Sequence, residues 1–343
     1  MIDAMCEELL IQKIYLGDKK INTIYFGGGT PSLLLEQELQ QILNTIHNNF
    51  IVSEEVEITL EANPDDLSPD KLSMLFTNRI NRLSIGIQSF NDEFLKFFNR
   101  AHDSLMAQDS VKNARSAGFE NISVDLIFGI PNQSINQFRN DLEKIIALKT
   151  EHISIYGLTI EEKTVFGKWH EKNKLQPIDE EVATLQLEMI MDELSKVEYE
   201  QYEISNFSKQ GFKSQHNSSY WNQEHYLGIG PSAHSYNGTS RQFNIPNNTM
   251  YVSSIKEGRV PFDIEILDRT QKINEYILTK LRTSGGISLS QMNSQFDFDF
   301  SKKFDKEIKQ FCQRNLIILD DNISLTIKGK LVADSITESF MLD

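Results

Sequence analysis

Over its first 156 residues the chain alternates between two hydrophobic rhythms, and this alternation restricts its possible folds more than any other feature. Residues 21–26 (INTIYF), 56–61 (VEITLE), 82–87 (RLSIGI), 121–127 (NISVDLI) and 152–156 (HISIY) read as short strands. Between them, 36–48, 91–98, 104–117 and 134–148 carry apolar residues at helical spacing. Ser68, Pro69 and Asp70 open a further helix with an N-cap serine and a first-turn proline. Strands that alternate with helices predict parallel βαβ units joined by right-handed crossovers. Five such strands predict a barrel or partial barrel. Residues 2–16 read as an amphipathic helix, with Ile2, Met5, Leu9 and Leu10 on one side. In a βα series that helix should follow a strand, so the reading expects a preceding βα unit of about thirty residues to be missing.

The second half changes character. A long helix is expected at 179–197, then YEQYEISNFS and a loop-rich stretch, HNSSYWNQEHYLGIGPSAHSYNG. Beyond 250 the chain reads as mainly helical: 250–257, 268–283, 288–295 and 301–314. Strands at 316–319 and 323–326 form a hairpin across Asp320-Asp321-Asn322, and helix 327–340 follows. The expected division is a partial parallel β/α barrel over 1–215, then a connecting region and a helical, winged-helix-like module over 216–343.

Charge narrows the partners. The formal net charge of −15 argues against neutralising nucleic-acid phosphates and against adhesion to anionic membranes. The winged-helix-like unit is therefore expected to be a packing module, and any membrane association to run through a partner. No apolar run reaches eighteen residues, and no secretion signal opens the chain. Two cysteines, Cys6 and Cys312, fit a reducing compartment and exclude a disulfide framework, so a cytoplasmic location is expected.

In parallel barrels, ligands sit at the carboxyl ends of the strands. Gly27-Gly28-Gly29-Thr30-Pro31 follows the first strand, where glycines let a backbone approach a ligand or simply make a tight βα turn. Glu61 ends the second strand, where a carboxylate suits a pair of ribose hydroxyls or a surface ion pair. Gln88 ends the third strand inside GIQSF, and Asp125 lies near the end of the fourth inside VDLIFGIP. An aspartate in an apolar run needs a partner, because burying a lone charge is costly. Arg100, in FNRAHD, offers one. Recurrence at successive strand ends is the stronger argument.

YFGGGTPS, EANP, GIQSF, NRAH, DLIFGIP and HISIYGL, in this order and spacing, resemble the oxygen-independent coproporphyrinogen III oxidase family of radical S-adenosylmethionine (SAM) proteins. HNSSYW at 216–221 and YLGIGPSAHS at 226–235 resemble its HemW branch, the heme chaperones. The resemblance covers nearly the whole chain. It implies a partial (β/α)6 barrel lacking its first strand, a [4Fe–4S] cluster, and SAM across the barrel mouth. It places Gly28, Gly29 and Thr30 against the amino-acid end of SAM and Glu61 on a SAM ribose. Gln88, Arg100 and Asp125 complete the nucleotide site, and Gly157 and His234 match positions near SAM.

One family feature is absent. The cluster is held by three cysteines at C-x3-C-x2-C, and Cys6 and Cys312 cannot supply them. They read as small packing residues. A truncation accounts for the missing strand and the missing triad together, and the chain as it stands is expected to be inert in radical chemistry. Of seven histidines, His216 stands out, because Tyr220 and Trp221 follow it. Bottom-up, this group either knits the barrel to the second module or contacts a porphyrin; the resemblance implies heme contact. Two functions remain open: a heme chaperone that delivers heme to a respiratory protein, and a radical oxidase that decarboxylates coproporphyrinogen.

Overall fold

The computed structural model describes all 343 residues. Helix α1 (Ile2–Ile11) buries Ala4, Cys6, Glu8 and Leu9. It stops five residues short of the expected end, and the chain turns through Gly17, whose φ of +60° does not continue a helix. There follow β1 (Ile21–Phe26), α2 (Glu36–Asn49), β2 (Val52–Ala62), α3 (Pro69–Thr77), β3 (Arg82–Gln88), α4 (Asp92–Phe97), α5 (Ser104–Ser116), β4 (Ile122–Phe128), α6 (Ile135–Ala147) and β5 (His152–Gly157). Ser68 caps α3 as expected, its hydroxyl accepting from the Lys71 amide at 3.2 Å.

After α7 (Val165–Glu171) and α8 (Glu180–Lys196), YEQYEISNFS forms a hairpin of β6 (Glu200–Glu203) and β7 (Asn206–Ser208). The strands make a seven-stranded, curled half-barrel sheet in the order β1-β2-β3-β4-β5-β7-β6. β2 through β5 pair in parallel, whereas β7 joins β5 antiparallel.

Register divides this sheet into two unlike faces. Leu60 aligns with Leu83, and Leu83 with Ile122; Ala62, Ile85, Val124 and Ile153 form the next row, and Leu126 aligns with Ile155. These side chains are buried, in a core that α8 joins by packing on β4. The opposite face is polar. Thr59 aligns with Arg82; Glu61, Ser84, Ser123 and His152 form a row; Asp125 aligns with Ser154. All but Glu61 and Asp125 in these polar rows are buried by residue, and β7 extends the face with buried Asn206 and Ser208.

The chain gathers into two compact units: Tyr25–Leu33 with Ile58–Ser214, and Met1–Ile24 with Leu34–Glu57 and Gln215–Asp343. In the second unit, the stretch read as loop contains α9 (Gln215–Trp221), β8 (His234–Tyr236) and β9 (Ser240–Asn244). After α10 (Asn248–Lys256), β10 (Phe262–Ile266) completes a three-stranded antiparallel sheet ordered β10-β9-β8, in a region expected to be mainly helical. Then come α11 (Arg269–Leu281), β11 (Ile287–Ser288), α12 (Leu289–Phe296), α13 (Phe300–Lys303), α14 (Asp305–Gln313), β12 (Ile317–Leu319), β13 (Asn322–Leu325), α15 (Ile327–Leu331) and α16 (Ala333–Ser339). The β12–β13 hairpin forms where expected, and β11 pairs with β13 to give the winged-helix order of elements. Phe300, Phe304 and Phe311 gather around Phe340, with ring centres 5.1–5.5 Å from it.

A buried carboxylate ties α1 to this second unit. Glu8 is fully buried. Its Oε1 accepts from Gln12 at 2.9 Å and Asn244 at 2.6 Å; its Oε2 accepts from the Gly230 amide at 2.8 Å and the Tyr251 hydroxyl at 2.5 Å. Burial pushes its pKa up, and the four hydrogen bonds oppose that shift. Glu8→Ala strands four donors, two of them on β9 and α10. It is expected to cost about 3–5 kcal/mol in urea unfolding, while Glu8→Gln costs less. An alanine variant within 1 kcal/mol of the native chain would show that the network contributes little.

Candidate functional site

The polar face meets its first ligand-capable group at the end of β1. Gly28 and Gly29 both have positive φ (73° and 64°), and nothing lies within 4 Å of where a side chain would begin. The turn therefore leaves its backbone open on one side. Glu61 holds the turn: its carboxylate accepts from the Tyr25 hydroxyl at 2.6 Å and from the Gly28 amide at 3.1 Å. Burial and the Glu61 charge keep the Tyr25 phenol neutral, in its donating form. Thr30 is exposed just beyond the glycines.

A second group forms where β3 ends. Gln88 has φ +71°, unusual for a side-chain-bearing residue, and sits where the β3–β4 register slips. Backbone held in this region costs on the order of 1–3 kcal/mol and clusters at functional sites. The Arg100 guanidinium donates to the Gly86 carbonyl at 2.9 Å and to Asn63 Oδ1 at 2.7 Å. A Cβ on Gly86 would stand 2.8 Å from Gln88 Nε2 and 3.3 Å from Arg100 Nη2, so a side chain there would push these two polar groups aside. His102 steadies the same loop, with Nε2 3.0 Å from the Ile87 carbonyl and Nδ1 3.7 Å from Asp65.

Asp125 lies deeper. Burial pushes its pKa up to about 6, against a hydrogen bond from Ser154 and the charge of Arg82; Glu61 adds to the rise. The Ser84 hydroxyl also approaches it, at 3.5 Å. Arg82 is almost fully buried, and its Nε has no hydrogen-bond partner. Below it His152 bridges Ser123 and Tyr202, each at 2.8 Å, and burial holds the ring neutral. A buried carboxylate, an arginine with an unmet donor and a row of hydroxyls form a pre-built polar lining of the kind found at binding sites.

The structure thus gathers Gly28, Gly29, Thr30, Glu61, Gln88, Arg100 and Asp125 along one rim and face of a single unit. Gly157 closes β5, where a Cβ would meet the Phe128 ring at 3.2 Å. His234 belongs to the other unit, exposed on β8 with its ring edge-on to Phe243 at 4.8 Å. So does His216: its Nδ1 is 3.1 Å from the Thr23 hydroxyl and its ring packs edge-on to Tyr220 at 4.9 Å. Glu57 accepts from the Gln215 and His216 amides, anchoring α9. Sequence reasoning missed Tyr25, Asn63, Arg82, Ser84 and Ser154. For Tyr25, Arg82, Ser84 and Ser154 the signal was hydroxyl and charged residues at alternate positions within otherwise apolar strands.

This half-barrel with its strand-end rim is the radical SAM architecture: the radical SAM superfamily pattern matches residues 5–145, and the HemN C-terminal domain pattern matches 267–332. The solved coproporphyrinogen III oxidase (HemN) of Escherichia coli, a radical SAM enzyme, superposes with a TM-score of 0.83 at 22% identity, covering 98% of this chain and 82% of that one. Heme chaperone HemW of Lactococcus lactis is 35% identical over 100% of this chain and 90% of its own length, and that of Bacillus subtilis 33% over 99% and 90%. The chain belongs to the HemW family of radical SAM proteins.

That family implies SAM and a [4Fe–4S] cluster. The polar lining and the open glycine turn fit a polar nucleoside ligand such as SAM. The cluster does not fit the residues present: Cys6 and Cys312 fall short of three thiolates, and no three histidine, cysteine or acidic side chains group to hold a metal ion. No helix is long and apolar enough to cross a membrane.

Asp125 makes a pH prediction. Its folded pKa of about 6 exceeds the ordinary 3.8, so the unfolded chain ionises first as pH rises. Stability is then lost between about pH 4 and 6, by roughly 3 kcal/mol at most. Urea midpoints of native chain and Asp125→Asn should diverge across this interval, leaving the variant more stable at pH 7. Parallel curves would contradict a buried, reluctant carboxylate.

Proposed function

We propose that this chain is a heme-binding chaperone that carries heme to a recipient respiratory protein in the cytoplasm, with SAM held at the strand ends. The observation that carries this reading is the near-full-length likeness to relatives named heme chaperones, joined to the geometry of HNSSYW. His216 is anchored through Thr23 and Glu57 and set against the Tyr220 ring, and an imidazole beside flat aromatics suits iron in a porphyrin. For SAM, we assign Gly28, Gly29 and Thr30 to the amino-acid end, Glu61 to a ribose, and Gln88, Arg100 and Asp125 to the remaining nucleotide contacts. Gly157 we assign to the margin of the same ligand. The residues bind and orient; no radical step is assigned to this chain, because its thiols do not supply the cluster ligands.

Titration with ferric hemin tests the reading. The chain should give a saturable Soret shift, and His216→Ala should weaken it about tenfold or more, the effect of losing an iron ligand or its orienting partner. Absence of any shift in the native chain sinks the chaperone reading. An unchanged titration in the variant removes His216 from it.

A further inference from the structure

Helix α9, which carries His216 and Trp221, contains no charged residue. Next to it, on α11, stands a lysine whose surroundings are unusual for this chain. Lys280 is half-buried, donates to Asn222 Oδ1 at 2.9 Å, and lies 6.0 Å from the ring centre of Tyr276. It forms no ion pair with a carboxylate, although the chain has 49 acidic residues against 34 lysines and arginines. Burial lowers its pKa and no acidic neighbour offsets the shift. Holding an ammonium partly out of water against only a neutral amide and a ring is unfavourable unless an anion completes the site. A second donor lies one residue from Asn222: the Trp221 indole N–H is buried and has no hydrogen-bond acceptor.

Both groups call for the same kind of partner, a negatively charged oxygen acceptor. Heme is an iron porphyrin with two propionate carboxylates, and uncharged α9 offers nothing to neutralise them. We propose that Lys280 is the anion anchor of the heme site at HNSSYW, and that its ligand is a heme propionate. Trp221 supplies a second hydrogen bond to the same end of the ligand. The inference rests on the heme reading and extends it: recognition uses the carboxylate edge of the porphyrin as well as its iron. It also divides the labour, with His216 on the metal and Lys280 on the periphery.

The test pairs a change in the protein with a change in the ligand. Hemin and hemin dimethyl ester, whose propionates are uncharged, are titrated into the native chain, Lys280→Met and Lys280→Arg. Lys280→Met keeps the apolar stem and removes the charge. A charge-assisted hydrogen bond sets the scale at about tenfold or more. Esterification should weaken binding to the native chain by that factor, Lys280→Met should weaken hemin binding equally, and the ester should bind both chains alike. Lys280→Arg should restore most of the hemin affinity. Equal binding of hemin and ester by the native chain overturns the proposal without recourse to any variant. So does a Lys280→Met chain that binds hemin like the native one, or that weakens both ligands equally as a merely structural change would. A native chain that binds neither porphyrin overturns the heme reading itself, and the role of Lys280 with it.

Discussion

The pairing register of β2 through β5 is the constraint on which the site depends. Because side chains alternate across a strand, one register decides at once which residues enter the core and which face inward. Here it sends Leu60, Leu83, Ile122 and their neighbours to one side, and Thr59, Arg82, Ser84, Ser123, Asp125 and Ser154 to the other. A slip of one residue in any strand would bury its polar set among the apolar core and turn its apolar set into the site. Roughly 25 cal/mol for each Å² of apolar surface buried opposes such a slip, so the energetics that fold the sheet also aim the functional groups.

Buried polarity is where this fold departs from simple stability. A carboxylate kept at a depth that resists its ionisation, an arginine with an unmet donor, and Gln88 held at positive φ all cost folding free energy. Asp125 and Arg82 lie on the polar face of the sheet, and Gln88 stands at the carboxyl end of β3, the rim where parallel barrels bind ligands. Glu8 shows the contrasting case. It is fully buried, yet four donors satisfy it, and its work is to hold α1 to the segments carrying Gly230, Asn244 and Tyr251.

Much of this was legible in the sequence because hydrophobic rhythm reports burial. The first five strands, their helices and the β12–β13 hairpin sit where the periodicity placed them, β2 only being longer than expected. Legibility failed where segments are short and polar. β7 and β9 bury Asn206, Ser208, Ser240, Gln242 and Asn244, side chains that normally mark loops; their strand character comes from hydrogen-bonded neighbours distant in sequence. Strand ends flagged Gly28, Glu61, Gln88 and Asp125. The Glu8 network was invisible because a glutamate on an amphipathic helix reads as solvent-facing until Gly230, Asn244 and Tyr251, more than 200 residues away, are brought to it.

We propose that the inward polar face and its rim hold SAM on this chain without a cluster. Isothermal titration with SAM, on the native chain and on Glu61→Gln, tests it most directly. A single saturable site that weakens about tenfold or more in the variant is predicted, since the charged acceptor proposed for the ribose hydroxyls is lost. No heat of binding in the native chain, or equal affinity in the two, would contradict it.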